Sequence, residues 1–330
     1  MNARKNFFFF VFGILVLFPL IAPGQQSEKP VVGFLAAGTA EGWAHLVAAF
    51  NAGLAEKGYI DGQNVTVEYR WAEGKFDRLP ALASDLVERR VAAFLSGGGR
   101  VTALASKEAT STVPIPVVFV MGNDPVSGGI VESLSHPGGN LTGVTLFSAE
   151  LGAKRVQLMQ ELVPDNTVIG LLENPKNPNL PKFMKSLREA VQAGSQRLLV
   201  LHATNDGELQ AAFETFAREK AGALLVSPDP FFNSNRPRVT SLANHYKIPA
   251  IYTLSDYVVA GGLMSYGSSF AGGYQQGGRY IGRILGGDKP QELPVVKPSE
   301  FELVINLKTA KLIGLDVPPA VLLQASKVIE

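Results

Sequence analysis

Six loops of small and polar residues follow apolar, strand-like runs along this 330-residue sequence. In open parallel sheets ligands bind beyond the carboxyl ends of the strands, so these loops form the predicted binding surface. Glycine lets the backbone approach a ligand, and helix N-termini favour an anionic group. A carboxylate such as Asp124 or Asp229 suits an ammonium. The candidate ligand-binding residues in these loops are Gly38, Thr39, Ser96, Gly97, Gly98, Asn123, Asp124, Asn174, Ser227, Asp229, Ser255 and Asp256.

Three aromatic residues join these candidates. Trp43, Phe231 and Tyr266 would stack on an apolar or aromatic ligand. Each of the three rings is otherwise a rim or core residue. The polar loop residues have an alternative role too, because Asp, Asn, Ser and Gly form turns and helix caps after strands. The pattern indicates a small-molecule site and leaves the ligand open.

Motifs of catalysis are missing from the sequence. The histidines His45, His136, His202 and His245 are scattered, without the spacing of a metal site. Neither a phosphate-binding loop nor a Gly-x-Ser-x-Gly elbow occurs. The sequence has no cysteine, which excludes thiolate nucleophiles and thiolate zinc sites. We predict no enzyme activity, no metal and no cofactor, and an enzyme in the same cleft is the less favoured alternative.

The predicted elements alternate between short apolar strands and amphipathic helices, an order typical of parallel, doubly wound sheets. This order starts twice. Residues 31–35 resemble 168–172, 93–96 resemble 224–227, and 115–119 resemble 248–252, at offsets of 131 to 137 residues. Buried strands look alike, so chance resemblance is the alternative. We predict an α/β fold of two doubly wound parallel-sheet lobes with the same topology.

The last 75 or so residues are too few for a third domain. They are predicted to complete both lobes, with the chain crossing between the lobes near residues 146, 254 and 294. The N-terminal lobe then comprises 30–145 plus 255–293, and the C-terminal lobe 146–254 plus 294–330. Several parallel crossings make a three-strand hinge, and a hinge between two sheets creates a ligand cleft.

The first 24 residues have the pattern of a secretory signal peptide. Arg4 and Lys5 precede an uncharged apolar run over 7–21, and the small residues Ala22 and Gly24 fit a cleavage site. An uncleaved anchor is the alternative, but a membrane span needs about 20 apolar residues. Without cysteine there is no lipoprotein anchor. We therefore predict a free periplasmic protein with its signal peptide cleaved.

Several longer runs carry a resemblance over nearly all of the chain beyond residue 30. They are Gly58-Tyr59, Gly62-Gln63-Asn64-Val65, Glu68-Tyr69-Arg70-Trp71-Ala72-Glu73-Gly74, Asp124-Pro125-Val126, Pro137-Gly138-Gly139-Asn140-Leu141-Thr142-Gly143, Lys154-Arg155, Gly261-Gly262-Leu263-Met264-Ser265-Tyr266-Gly267 and Phe301-Glu302-Leu303-Val304-Ile305-Asn306. The chain resembles the ABC-transporter substrate-binding family that includes tryptophan-type binding proteins. The resemblance implies a type I periplasmic binding protein fold with two lobes and three crossovers. It also implies delivery of a solute to an ABC permease and its ATPase.

One segment departs from the family pattern. Ser255-Asp256-Tyr257 stands where the family tends to carry an Arg-Glu pair, so the ligand of this protein can differ from that of its relatives. A hydrophobic or aromatic amino acid is one ligand class that the resemblance allows.

The leading hypothesis is a transport receptor that binds a small molecule by lobe closure and acts as a monomer. A periplasmic sensing subunit that presents the same clamp to a membrane signalling receptor is the alternative. Nearly balanced charge, with Lys+Arg 30 and Asp+Glu 29, argues against nucleic acid as a partner. We also expect no membrane insertion after signal cleavage.

Overall fold

The computed structural model describes residues 29–146, 151–164, 167–178, 180–193, 196–297 and 301–330. The predicted signal peptide lies outside the described residues. Elsewhere the chain forms two α/β lobes, each built around one sheet. Two clusters of buried apolar side chains accompany each sheet. Such burial on both faces explains why the central strands are continuous apolar runs rather than alternating ones.

The first sheet has the order β2-β1-β3-β4-β5 and is parallel throughout, and the second has the order β12-β11-β10-β9-β8-β6-β7. The strands in the described ranges are β1 (Val31–Ala36), β2 (Thr66–Trp71), β3 (Ala93–Gly97), β4 (Val117–Met121), β5 (Leu141–Thr145), β6 (Val168–Glu173), β7 (Arg197–His202), β8 (Ala221–Val226), β9 (Ala250–Tyr252), β10 (Met264–Gly267), β11 (Glu302–Asn306) and β12 (Lys327–Ile329). The run β7-β6-β8-β9-β10 repeats the order of the first sheet, so the two lobes have the same topology, as the matching segments predicted.

The helices connect these strands and cover the sheets. They are α1 (Ala44–Ala55), α2 (Leu79–Glu88), α3 (Arg100–Ala109), α4 (Gly152–Gln160), α5 (Leu180–Ala193), α6 (Asp206–Arg218), α7 (Pro230–Ser234), α8 (Arg236–His245), α9 (Ser255–Val259), α10 (Phe270–Leu285), α11 (Leu307–Ile313) and α12 (Pro319–Leu322). In α1, Leu46, Phe50 and Leu54 recur at helical spacing and are buried. The Asn205 side chain caps α6 by accepting a hydrogen bond from the Glu208 N–H, and Gly314 ends α11 in the left-handed conformation.

The prediction that the chain crosses from the second lobe to the first near residue 254 is wrong. Strand β10 pairs in parallel with β9, so residues 255–267 belong to the second lobe, whereas we assigned 255–293 to the first. The physical reason is that β9, α9 and β10 form a compact β-α-β unit, and such units stay in one sheet. The chain crosses instead at 268–269, directly before α10, which packs on α1 of the first lobe.

The other two crossings follow β5 and precede β11, and residues 147–150 and 298–300, which lie there, are outside the described ranges. The sequence predicted parallel sheets, and the second sheet departs from this where β11 pairs antiparallel to β10. The chain enters β11 from the first lobe rather than through a helix of the second. Strand β10 ends at the edge of its sheet that faces the first lobe, and the chain comes back from the first lobe to that same edge, so β11 runs in the opposite direction.

Candidate ligand-binding cleft

A cavity of about 70 Å³ lies between the carboxyl ends of the two sets of strands. The first lobe contributes Trp43, Gly98, Gly99, Gly122, Asn123 and Phe270. The second lobe contributes Asn177, Pro228, Asp229, Pro230 and Asn233. Both lobes therefore present strand-end loops to one space, the position expected of a ligand site in open α/β sheets.

The first-lobe side of the cavity is formed by the loop after β3. Gly98 and Gly99 have φ angles of 123° and 97°, a region that residues with a side chain rarely adopt. A Cβ on Gly98 would also overlap the Ala37 side chain. Gly99 is the N-cap of α3, and no side chain accepts a hydrogen bond there. The N–H groups of the first turn of α3, which have no carbonyl partner within the helix, thus lie beside the cavity and favour an anionic group.

An aromatic wall supports the same side. Trp43 is 1% exposed and packs edge-on against Tyr274, with ring centroids 5.8 Å apart. Phe270 contacts Tyr274 from another direction, at 5.5 Å. Gly38 is required beneath the indole, because a Cβ there would overlap Trp43 Nε1. Trp43 and Phe270 give the cavity its apolar surface.

The second-lobe side is organised around the buried carboxylate of Asp229, which is 1% exposed. Asn174 Nδ2 donates to its Oδ1 over 3.2 Å, and Asn177 Nδ2 donates to its Oδ2 over 2.8 Å. The Phe231 N–H donates to Oδ1 over 2.8 Å, so Asp229 also caps α7. Burial raises the pKa of Asp229 to about 6, although these hydrogen bonds act to lower it.

Asn233 lies in α7 at the edge of the cavity. Its Oδ1 accepts a hydrogen bond of 3.0 Å from the Tyr257 hydroxyl. Tyr257 in turn stacks on Tyr252, with ring centroids 4.5 Å apart and an interplanar angle of 9°. The amide of Asn233 is therefore held in place by a buried aromatic pair of the second lobe.

The two lobes contact each other directly at one side of the cavity. Arg236 Nη1 donates to the Gly42 carbonyl over 2.7 Å, and the Thr39 N–H donates to Ser234 Oγ over 3.4 Å. His45 Nε2 lies 2.9 Å from Asp256 Oδ1. These bonds join the start of α1 to the starts of α8 and α9.

Four predicted site residues line the cavity itself: Trp43, Gly98, Asn123 and Asp229. Gly38, Gly97 and Asn174 lie directly behind them, because Gly97 contacts the Tyr274 hydroxyl and Asn174 holds Asp229. Ser227, 1% exposed, sits at the end of β8 beside Pro228, and its Oγ has no hydrogen-bond partner among the described residues. Thr39 and Asp256 lie at the contact between the lobes, and Ser255 opens α9 beside Asp256.

The remaining predicted residues point elsewhere. Ser96 accepts a hydrogen bond of 2.9 Å from the Ser106 hydroxyl inside the first lobe. Asp124 accepts from the Val126 N–H over 3.0 Å, a turn contact. Phe231 lines a separate space between the lobes together with Asn174. Tyr266 packs near Phe301 against a second-lobe core, with centroids 6.3 Å apart.

Sequence reasoning missed Asn177, Asn233 and Phe270. Asn177 follows Asn174 by three residues in an Asn- and Pro-rich loop, a signal that was available. Asn233 belongs to α7, a five-residue helix too short to show periodicity. Phe270 is the first residue of α10.

The described residues contain no group of three or more His, Cys, Asp or Glu side chains arranged to hold a metal ion. None of the helices in the same ranges is both long and apolar enough to cross a membrane.

Comparison with known proteins assigns this chain to a family. A family model described as "ABC transporter substrate binding protein" matches residues 39–329. A tyrosine-binding protein of Clostridioides difficile (strain R20291) is 27% identical over 259 residues, which are 78% of this chain and 73% of that protein.

Two solved structures are similar over most of the chain. A conserved domain protein of Vibrio cholerae O1 biovar El Tor is 27% identical, with a TM-score of 0.80, covering 91% of this chain and 100% of that one. The ABC domain of Streptococcus pneumoniae in complex with L-Trp is 25% identical, with a TM-score of 0.77 and the same coverage. The chain belongs to the ABC transporter substrate binding protein family and has the two-lobed type I periplasmic binding protein fold.

Proposed function

We propose that this chain is the periplasmic solute-binding component of an ABC importer, that it binds an amino acid between its lobes, and that it delivers this ligand to a permease and its ATPase. The observation that supports this proposal most is that the two walls of the cavity suit groups of opposite charge. One wall has a buried carboxylate, Asp229, and the other has the uncapped N-terminus of α3. These two walls complement the ammonium and the carboxylate of an amino acid.

The apolar part of the cavity supports a hydrophobic or aromatic side chain. Trp43 and Phe270 supply that surface, backed by Tyr274. The tyrosine-binding and L-Trp-bound relatives support the same ligand class. The ligand favours the closed arrangement because it contacts both walls only there, and the permease recognises that arrangement.

A thermal-shift screen tests the ligand class. Ligand that binds only the folded state raises the melting temperature, by mass action. The panel holds the common L-amino acids and, for L-tyrosine and L-tryptophan, the matched amines and carboxylic acids that lack one charged group. We expect a shift with one or more amino acids and none with the matched single-charge analogues. A panel without any shift would contradict amino-acid binding.

The Asp229→Asn variant tests the ammonium site. Asparagine keeps the shape and its Oδ1 can still cap α7, while the negative charge is lost. Because its Nδ2 would face the Asn177 Nδ2 donor, circular dichroism of the ligand-free variant must establish that it is folded. We expect affinity for the best amino acid to fall about tenfold or more, the scale of a charge-assisted hydrogen bond. Asp206→Asn, an exposed position at the start of α6, is the matched control and should bind as the parent does.

Location and transport need separate measurements. Intact-mass analysis of periplasmic protein should give a mature chain beginning near residue 25, and a retained N-terminus would contradict cleavage. Disruption of the gene should abolish uptake of the identified amino acid by the source bacterium. Unchanged uptake would favour a sensing role. Size-exclusion chromatography should show a monomer.

A further inference from the structure

Three side chains from different helices meet where the lobes touch. His45 lies in the first turn of α1, whereas Arg236 and Asp256 lie in the first turns of α8 and α9 of the second lobe. Arg236 Nη2 is 3.3 Å from His45 Nδ1, and His45 Nε2 is 2.9 Å from Asp256 Oδ1. The imidazole thus bridges two oppositely charged groups of the other lobe.

The geometry selects one tautomer of His45. Arg236 can only donate, so Nδ1 accepts, and Nε2 carries the proton that it donates to the Asp256 carboxylate. Arg236 also links the backbones of the two lobes. Its Nη1 donates to the Gly42 carbonyl of the first lobe at 2.7 Å and to the Asn233 carbonyl of the second lobe at 2.8 Å. Burial alone would raise the pKa of Asp256, but His45 and Arg236 outweigh it and hold that pKa below its usual value.

These residues stand beside the ligand cavity rather than in it. They line a separate small space, which shares Trp43, Asn233 and Phe270 with the main cavity. We propose that Arg236, His45 and Asp256 form a cross-cleft clasp that stabilises the closed arrangement of the lobes independently of the ligand. The clasp rests on the proposed function only for its effect on ligand release, since closure itself is measurable without any ligand.

Gly42 offers a way to open the clasp without touching its side chains. A Cβ on this residue would lie 2.6 Å from Ser234 Cα across the cleft, too close for a closed contact. Its φ lies outside the left-handed region, so alanine is compatible with the first-lobe backbone. Gly42→Ala is therefore a wedge that acts only when the lobes meet.

Electron–electron distance measurements on the ligand-free protein test the clasp. The sequence contains no cysteine, so spin labels at Asp77→Cys and Lys176→Cys report only the distance between the lobes. Both positions are exposed and line the same space between the lobes. We expect a mainly short distance in the parent and a shift to longer distances in Gly42→Ala, His45→Ala and Asp256→Ala.

Two controls accompany these variants. Asp288→Asn removes an ion pair with Arg283 inside the first lobe, and Gly207→Ala adds a methyl whose nearest neighbour is 3.4 Å away. Both should keep the short distance. Circular dichroism establishes that every variant is folded.

Two outcomes of the distance measurements would contradict the proposal. Equal distance distributions in the parent and all variants would overturn the clasp. A shift seen with Gly42→Ala but with neither His45→Ala nor Asp256→Ala would overturn it as well. In stopped-flow experiments with L-tryptophan as the probe, His45→Ala should release the probe about tenfold faster, equivalent to about 1.4 kcal/mol. Absence of L-tryptophan binding by the parent would count against the proposed ligand class and leave the distance test of the clasp intact.

Discussion

Gly53 of α1 and Gly278 of α10 bring two helix backbones into direct contact. A Cβ on Gly53 would overlap the Gln275 carbonyl, and a Cβ on Gly278 would overlap the Phe50 carbonyl. Helix α1 begins next to Trp43, and α10 begins with Phe270, so this contact fixes both aromatic residues of the cavity. The glycine pair thereby helps to position two residues of the candidate cavity.

We predict that Gly278→Ala lowers the free energy of unfolding by about 1–3 kcal/mol, because the added methyl overpacks a closed interface. Urea unfolding measures this loss. Gly207→Ala is the control, since its position in α6 has room and alanine favours a helix more than glycine does. Equal stability of Gly278→Ala and the parent would show that the helices separate at little cost.

Ligand affinity should fall as the pH drops below about 6. The carboxylate of Asp229, whose pKa burial raises to about 6, must be ionised to pair with the ligand ammonium. Once Asp229 is protonated, each further pH unit should weaken binding by up to tenfold. Isothermal titration between pH 5 and 8 checks this, and a flat profile would place the ammonium elsewhere.

The stability of the ligand-free protein should follow the opposite course. Asp229 binds its proton near pH 6 in the folded state but near 3.8 when unfolded, so the folded state holds more protons between these values. Its contribution to the free energy of unfolding therefore rises as pH falls through 6, by at most about 3 kcal/mol near pH 4. Urea unfolding of the parent and of Asp229→Asn across pH 4 to 7.5 gives the comparison. The free energy of unfolding of the parent relative to the variant should rise as pH falls below about 6 and should stay constant above about 7.

The sequence predicted the elements of the fold better than their assignment to lobes. Repeated apolar runs identified β1, β6, β4 and β9 in equivalent places, since buried parallel strands carry a strong local signal. Nothing local distinguishes a strand that extends one sheet from a strand that begins the other. That is why β10 was assigned to the wrong lobe.

The candidate site was predictable where a rule of position applies and not where packing decides. Asp229 and Gly98 follow the carboxyl ends of strands and line the cavity. This is where ligands bind in open parallel sheets. Ser96 follows the same rule but its strand directs it toward Ser106 inside the lobe. Ser96 still belongs to β3, whereas Gly98 follows its last residue, so the exact end of the strand decides between these outcomes.

Phe270 is expected to contact the apolar side chain of the ligand rather than its charged groups. Phe270→Ala removes an apolar surface of the cavity while leaving Asp229 and the N-terminus of α3 in place. Affinity for L-tyrosine or L-tryptophan should fall by about 10- to 100-fold, the range for losing part of an aromatic contact, whereas affinity for L-alanine should change little. Calorimetric titration of the three amino acids against the parent and the variant provides the comparison. An equal loss for all three would mean that Phe270 supports the cavity through Tyr274 rather than by contact with the ligand side chain, because a distorted wall weakens every ligand alike.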